Sequence, residues 1–329
     1  MLRILVLLAL ALSWSTAAAA QDVPAFSLPL DCRPGIDCFV QQYVDHDPGP
    51  GAHDYTCGTL SYDGLNGTDI RLPDYVAMER GVAVLAAADG VVAGTRDGME
   101  DVSVAVGGRD ALEGRDAGNG VAIDHGGGWT TQYSHMRKGS IAVVQGQAVK
   151  RGEVLGLVGL SGNTEFPHLN FTVRRGEEII DPFVGAGMGH ACGTGGTPLW
   201  TPEAAHALAY VPTALLAAGF AQEKPHLEAA LRGAYAGAAY PADAPAIVFW
   251  VVVMGTQAGD REAIRLIGPD GAVLAEWQGS LDRPKAQRYL FAGDRRPGDA
   301  WPPGNYTGTY TLERGDGTTA TVTRTLQVR

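Results

Sequence analysis

Short apolar runs punctuated by glycine dominate the chain, and most of them read as strands. Gly81 to Ala88, the Asp89-Gly90 pair and Val91 to Gly94 predict strand, turn and strand. Gly120 to His125, the Gly126-Gly127-Gly128 triplet and Trp129 to His135 predict a second hairpin. Val149 to Val158 mixes apolar residues with turn glycines. Two alanine-rich stretches interrupt this pattern. Ala204 to Ala218 and Leu227 to Ala239 predict helices, with Pro212 kinking or splitting the first, and together they suggest a helical connector over residues 191–243. From Ala246 the pattern is β again. Ile264 to Ile267, the Gly268-Pro269-Asp270-Gly271 turn and Val273 to Trp277 form one expected hairpin. Tyr306 to Leu312, Asp316-Gly317 and Thr319 to Val328 form another. Evenly spaced short strands predict a C-terminal immunoglobulin-like β-sandwich over residues 244–329.

Composition narrows the function classes. Of 329 residues, 45 are glycine and 45% are apolar, so the chain has material for a core and for many tight turns. The formal charge of −11, with 19% charged residues, argues against nucleic-acid binding and against docking on anionic membranes. Arg3, the apolar run Ile4 to Leu12 and Ala18-Ala19-Ala20 read as a secretory signal peptide over residues 1–20. That run and Ala246 to Met254 are both too short to span a bilayer. The expectation is an exported protein, periplasmic or secreted, with no membrane span. Export permits disulfides. Cys32, Cys38, Cys57 and Cys192 allow three pairings. Cys32–Cys38, around Pro34-Gly35, is preferred, which leaves Cys57–Cys192 to tie the ends of the middle segment. Residues 21–57 then form a disulfide-pinned lead-in.

Three blocks in the middle of the chain carry candidate chemistry. The first is Gly64-Leu65-Asn66-Gly67-Thr68-Asp69, followed by Ala86 to Val92. The second is Asn119 to Gly128, running into Thr131-Gln132-Tyr133-Ser134-His135-Met136. The third runs from Gly146 to Gly152, through Gly159 to Thr164 and Pro167-His168-Leu169-Asn170-Phe171, to Ile180-Asp181-Pro182. In order and spacing these blocks resemble the lysostaphin/LytM-type zinc endopeptidases, which cut peptide bridges of bacterial peptidoglycan. The resemblance implies a LytM-like antiparallel β core, of the duplicated hybrid-motif kind, over residues 58–190.

The resemblance also implies a site, and this chain departs from it. The family motif H-x-x-x-D supplies two zinc ligands; here Asp69 matches the aspartate, but Leu65 stands at the histidine. The motif H-x-H supplies a catalytic histidine and the third ligand; here His168 matches the first, but Asn170 stands at the ligand position. The remaining catalytic histidine falls on His135. Leucine offers no lone pair, and a carboxamide oxygen is a poor substitute for imidazole at zinc, which needs about three protein ligands. Without the ion, bound water is not acidified and the scissile carbonyl is not polarised.

The expectation is therefore a degenerate member, without a metal cofactor and without peptidase activity. Asp69 becomes a turn residue bonding nearby backbone N–H groups, and His125 a hairpin-end structural residue. Such a protein would act by binding a peptidoglycan peptide or by regulating a cell-wall hydrolase partner. The competing reading is an active zinc endopeptidase with non-standard ligands. For that reading His46, Asp47, His53 and Asp54 have the right ligand types, but adjacent residues in extended chain point oppositely, and a solvated polar loop is favoured. In the C-terminal domain, Asp294, Arg295, Arg296 and Asp299 beside Trp301-Pro302-Pro303-Gly304 read as an exposed loop.

Overall fold

A computed structural model describes residues 23–187, 191–193 and 195–329. The expected signal peptide lies outside the described residues. In chain order the first part contains β1 (Phe39–Gln42), β2 (Thr68–Arg71), α1 (Tyr75–Arg80), β3 (Ala83–Leu85), β4 (Gly90–Arg96) and α2 (Val104–Gly107). It continues with β5 (Asn119–Gly126), β6 (Trp129–Met136), β7 (Ala148–Val149), β8 (Val154–Leu157), β9 (His168–Arg175) and β10 (Glu178–Ile180). Eight of these strands form one antiparallel sheet in the order β1-β2-β9-β6-β5-β4-β7, with β10 also pairing to β9.

Period-two alternation explains this sheet. Ile70 of β2 and Leu169, Phe171 and Val173 of β9 enter the core, so Asp69, Arg71, His168, Asn170 and Thr172 share the opposite face. The β5–β6 hairpin forms as predicted. The first predicted hairpin does not. β3 pairs with β8 in a separate two-stranded sheet, while β4 pairs with β5 and β7. A two-residue Asp-Gly hairpin turn of type I′ needs positive φ at both residues, and neither Asp89 nor Gly90 has it. Gly90 serves a close approach instead: a Cβ there would lie 2.6 Å from the Asp124 carbonyl on β5.

The second part runs α3 (Pro202–Ala207), β11 (Ala214–Ala221), α4 (Leu227–Leu231), β12 (Ala239–Tyr240), β13 (Ala246–Thr256) and β14 (Arg261–Ile267). It ends with β15 (Val273–Ser280), β16 (Lys285–Arg295), β17 (Gly304–Glu313) and β18 (Thr319–Val328). A sheet β11-β13-β16 faces a sheet β12-β18-β17-β14-β15 across a core that includes Phe249, Val251, Val253, Ile264, Tyr310 and Leu326. Tyr306, near the start of β17, donates its hydroxyl to the Pro302 carbonyl at 2.9 Å. This is the tyrosine corner of immunoglobulin-like sandwiches.

Three readings change here. The helix expected over Ala204–Ala218 ends at Ala207, and Ala214–Ala221 is a strand paired along β13; tertiary pairing overrides alanine's helix propensity. The second expected helix ends at Leu231, short of Ala239. β11 and β12, inside the segment read as connector, are thus hydrogen-bonded into the sandwich sheets. Trp301 is not in a solvated loop; it is buried and its indole N–H donates to the Ala244 carbonyl at 2.9 Å.

β13 is buried along its whole length. One face fills the sandwich, and the other presents Trp250, Val252 and Met254 to the core of the first part. This double burial explains the unbroken apolar run. The cysteines pair as Cys32–Cys38 and Cys57–Cys192. The lead-in is not a solvated loop either. His46 Nε2 lies 2.9 Å from Asp181 Oδ2 in a buried pair. Asp54 is buried and accepts from the Leu60 N–H and the Tyr210 hydroxyl. Asp47 and His53 stay partly exposed, 3.9 Å apart. No helix among the described residues is long and apolar enough to cross a membrane.

Candidate functional site

The site is built on two neighbouring strands. In the β2–β9 register Asp69 faces Asn170, and Arg71 faces His168. Asp69 is therefore a mid-strand residue rather than a turn residue, and its partner is a side chain rather than backbone N–H groups. Asn170 Nδ2 donates to Asp69 Oδ1 at 2.8 Å, and Thr172 Oγ1 donates to Asn170 Oδ1 at 3.1 Å. Gly67 makes room for this: a Cβ there would lie 2.8 Å from both carboxamide atoms of Asn170 and from Thr172 Oγ1.

The two histidines converge with this pair. His168 Nε2 is 3.5 Å from Asp69 Oδ1. Its Nδ1 lies 2.9 Å from the Phe166 carbonyl and 3.0 Å from Thr164 Oγ1, so the 164–166 loop fixes the ring. The His135 and His168 ring centroids are 4.6 Å apart. His135 Nδ1 is 2.8 Å from the Ser161 carbonyl, an acceptor that assigns the ring proton to Nδ1. Burial, with His168 adding to it, pushes the His135 pKa down to about 3, so this ring is neutral at physiological pH. His135 also has φ of 63°, a left-handed conformation that is uncommon outside glycine and enriched at functional positions.

Asp69 and His168 line a cleft of about 540 Å³. Its walls include Gln41 and Gln42 of β1, Tyr62, Arg109 and the 163–166 loop, with Ala286 of the sandwich closing one side. Leu65, Asn170 and His135 are not on its surface. Leu65 is buried, with its N–H donating to the Tyr62 carbonyl at 3.0 Å. Tyr62, Arg109 and Arg71 were not singled out from sequence. Tyr62 lies in an irregular segment and Arg109 opens a short 3-10 helix (Arg109–Leu112), neither with a motif, whereas Arg71 could have been found from its place two residues after Asp69 on one strand face.

The residues present do not fit a zinc ion held as the resemblance implies. Leu65 has no donor atom. Asn170 turns its amide donor, not a lone pair, towards Asp69. Its oxygen already accepts from Thr172. His46, the lead-in residue with the best ligand chemistry, is committed to Asp181 and to the Ala191 carbonyl. Among the described residues the one cluster of three metal-type ligands is Cys32, Asp37 and Cys38, and its two sulfurs are joined in a disulfide. The groups gathered at the cleft can donate and accept hydrogen bonds to a polar ligand. They include no activated nucleophile.

Known proteins match the first part of the chain. Residues 66–182 match the model of Peptidase family M23. Over 106 residues the chain is 36% identical to the peptidoglycan DD-endopeptidase ShyA of Vibrio cholerae, covering 32% of this chain and 19% of that protein. Over 119 residues it is 34% identical to the cell division protein DipM of Caulobacter vibrioides, covering 36% of this chain and 15% of DipM. The chain thus spans less than a fifth of the length of these two curated relatives. Among solved structures, a zinc containing peptidase from Vibrio cholerae shares 27% identity, covering 44% of this chain and 39% of that chain, with a TM-score of 0.28.

Proposed function

We propose that this is an exported, cell-wall-associated protein whose M23 domain has lost peptidase activity. In this reading its cleft binds a peptidoglycan peptide, either as a recognition module or to regulate a cell-wall hydrolase. The observation that carries the reading is the Asn170–Asp69 hydrogen bond. The third-ligand position donates a hydrogen bond to the one remaining ligand, and the first-ligand position is a buried leucine. A metal would have to break that bond and would still find too few donors. The relatives that match this domain include a peptidoglycan DD-endopeptidase, which supports a peptidoglycan ligand. The disulfides support an oxidising compartment. In this function His168 is a hydrogen-bonding group of the binding cleft, and His135 is a buried residue that packs behind it. The test is metal analysis of the purified protein, together with a peptidoglycan digestion assay. Substoichiometric zinc and no release of cross-link fragments are expected. Near one zinc per chain with cleavage would overturn the proposal in favour of an active enzyme with unusual ligands.

A further inference from the structure

Arg71 is a buried cation with no carboxylate in contact; Asp74 acts on its charge only from beyond ion-pair distance. It is fully buried, yet among the described residues no carboxylate lies within salt-bridge distance. The other buried charged side chains are compensated. His46 meets Asp181, Arg314 meets Asp260, Arg288 meets Glu262, Asp69 has Asn170 and His168, and Asp54 collects several N–H and O–H donors. Arg71 has only neutral partners. Nε donates to the Leu72 carbonyl, Nη1 donates to Gln41 Oε1 and, at 2.9 Å, to Gln287 Oε1, and the guanidinium lies over the Phe166 ring at 4.4 Å. Nη2 is buried and has no hydrogen-bond partner. A buried charge without a counterion is costly, and an orphaned donor adds to the cost.

The position of this cation points to a ligand. Arg71 shares the sheet face of Asp69, His168 and Asn170, two residues along β2 from Asp69 and directly opposite His168. Three residues around it form the cleft wall: its hydrogen-bond partner Gln41, its stacking partner Phe166, and Ala286 next to Gln287. Gln41 sits in the bulge of β1, where the register to β2 shifts between Val40 and Gln42. This bulge lets both Gln41 and Gln42 reach the cleft, the usual effect of an extra residue beside a site.

We infer that Arg71 is the anchor for a carboxylate of the peptide bound in the cleft. The carboxylate displaces the Gln41 carboxamide and takes up Nη1 and Nη2 together. The fork of a guanidinium matches a carboxylate bidentately, whereas a carboxamide oxygen offers one neutral acceptor. Arg109 supplies a second positive charge on the cleft wall. Asp69 is already engaged by Asn170 and His168, and Glu165 on the same wall is solvent-exposed. The inference rests on the proposed peptide-binding function of the cleft.

The experiment is titration calorimetry of the full chain with synthetic peptidoglycan stem tetrapeptides. One probe has its carboxylates free, a second is amidated at the C-terminus, and a third is amidated at its side-chain carboxylate. One amidation is expected to weaken binding about tenfold or more, the size of a charge-assisted pair, and so to identify which carboxylate Arg71 takes. In Arg71→Met that difference should fall to about onefold while the amidated probe binds as before; Arg71→Lys should restore part of it. Equal binding of all three probes to the unaltered chain would overturn the inference and leave the peptide-binding function standing. No binding of any probe would overturn both. The comparison of probes on the unaltered chain needs no variant, so equal binding overturns the inference even if Arg71→Met misfolds, and Arg109→Gln, at an exposed position, should leave the difference between probes in place.

Discussion

The Asn170 carboxamide donates to the Asp69 carboxylate across the β2–β9 register pair at 2.8 Å, where the resemblance to zinc endopeptidases implies two ligands of one ion. A hydrogen bond now joins two positions that a metal would bridge. Both side chains are buried, so this contact also satisfies groups that would be costly to leave unpaired. Asn170→Ala should therefore destabilise the domain by about 1–3 kcal/mol, because the buried carboxylate loses its donor. Asn170→Asp should cost more at neutral pH, since two carboxylates would then face each other. Urea midpoints compare the two variants with the unaltered chain, and equal midpoints would show that the bond contributes nothing.

On the proposed function, zinc binding should need histidine at both Leu65 and Asn170. Leu65→His alone leaves Asn170 donating to Asp69. Asn170→His alone leaves too few ligands, because a catalytic zinc site needs about three. The double substitution is expected to hold close to one zinc per chain after dialysis, and each single variant far less. Metal analysis decides this. Zinc uptake by a single variant, or none by the double, would contradict the alignment of Leu65 and Asn170 with the ligand positions.

The two disulfides should differ in worth. Cys57–Cys192 closes a separation of 135 residues, against 6 for Cys32–Cys38. Loop closure restricts the unfolded chain more for longer loops, so losing Cys57–Cys192 should cost roughly 2–5 kcal/mol. The paired serine substitution at 57 and 192 should lower the melting temperature more than the pair at 32 and 38. A smaller drop would mean that native-state effects outweigh the chain-entropy difference.

The sequence made the framework of the site legible because short motifs tie each block to a strand. Asp69, His135 and His168 do converge, and the substitutions at Leu65 and Asn170 were visible as departures. What the two departures do together was not legible. That Asn170 would turn its amide donor to Asp69 depends on register and on the space beside Gly67, neither of which a motif encodes. Ala214–Ala221 was misread for a related reason: its alanines prefer helix locally, but β13 offers it partners 27 to 40 residues later in the chain. His46 and Asp54 looked like loop residues because their partners, Asp181 and Tyr210, lie far along the chain.

Two buried histidines should give the stability curve opposing slopes with pH. At His46, burial disfavours the charged ring, but the Asp181 hydrogen bond and charge outweigh it and raise the pKa above its ordinary value of 6.5. A raised folded pKa contributes stability that is fully present below the unfolded value and is lost as pH rises through the folded value. At His135 the folded pKa is pushed down to about 3, chiefly by burial. Its unfolded form takes up a proton near pH 6.5 while the folded form stays neutral, so this residue lowers stability as pH falls below 6.5. Substitutions separate the two effects. The stability advantage of the unaltered chain over His46→Gln should shrink from pH 5.5 to pH 8.5. Against His135→Asn, which suits the left-handed backbone at that position, the unaltered chain should instead lose ground as pH falls. Urea midpoints at three or four pH values measure both differences. A difference for His46→Gln that does not change with pH would mean that the His46–Asp181 contact is formed by a neutral ring.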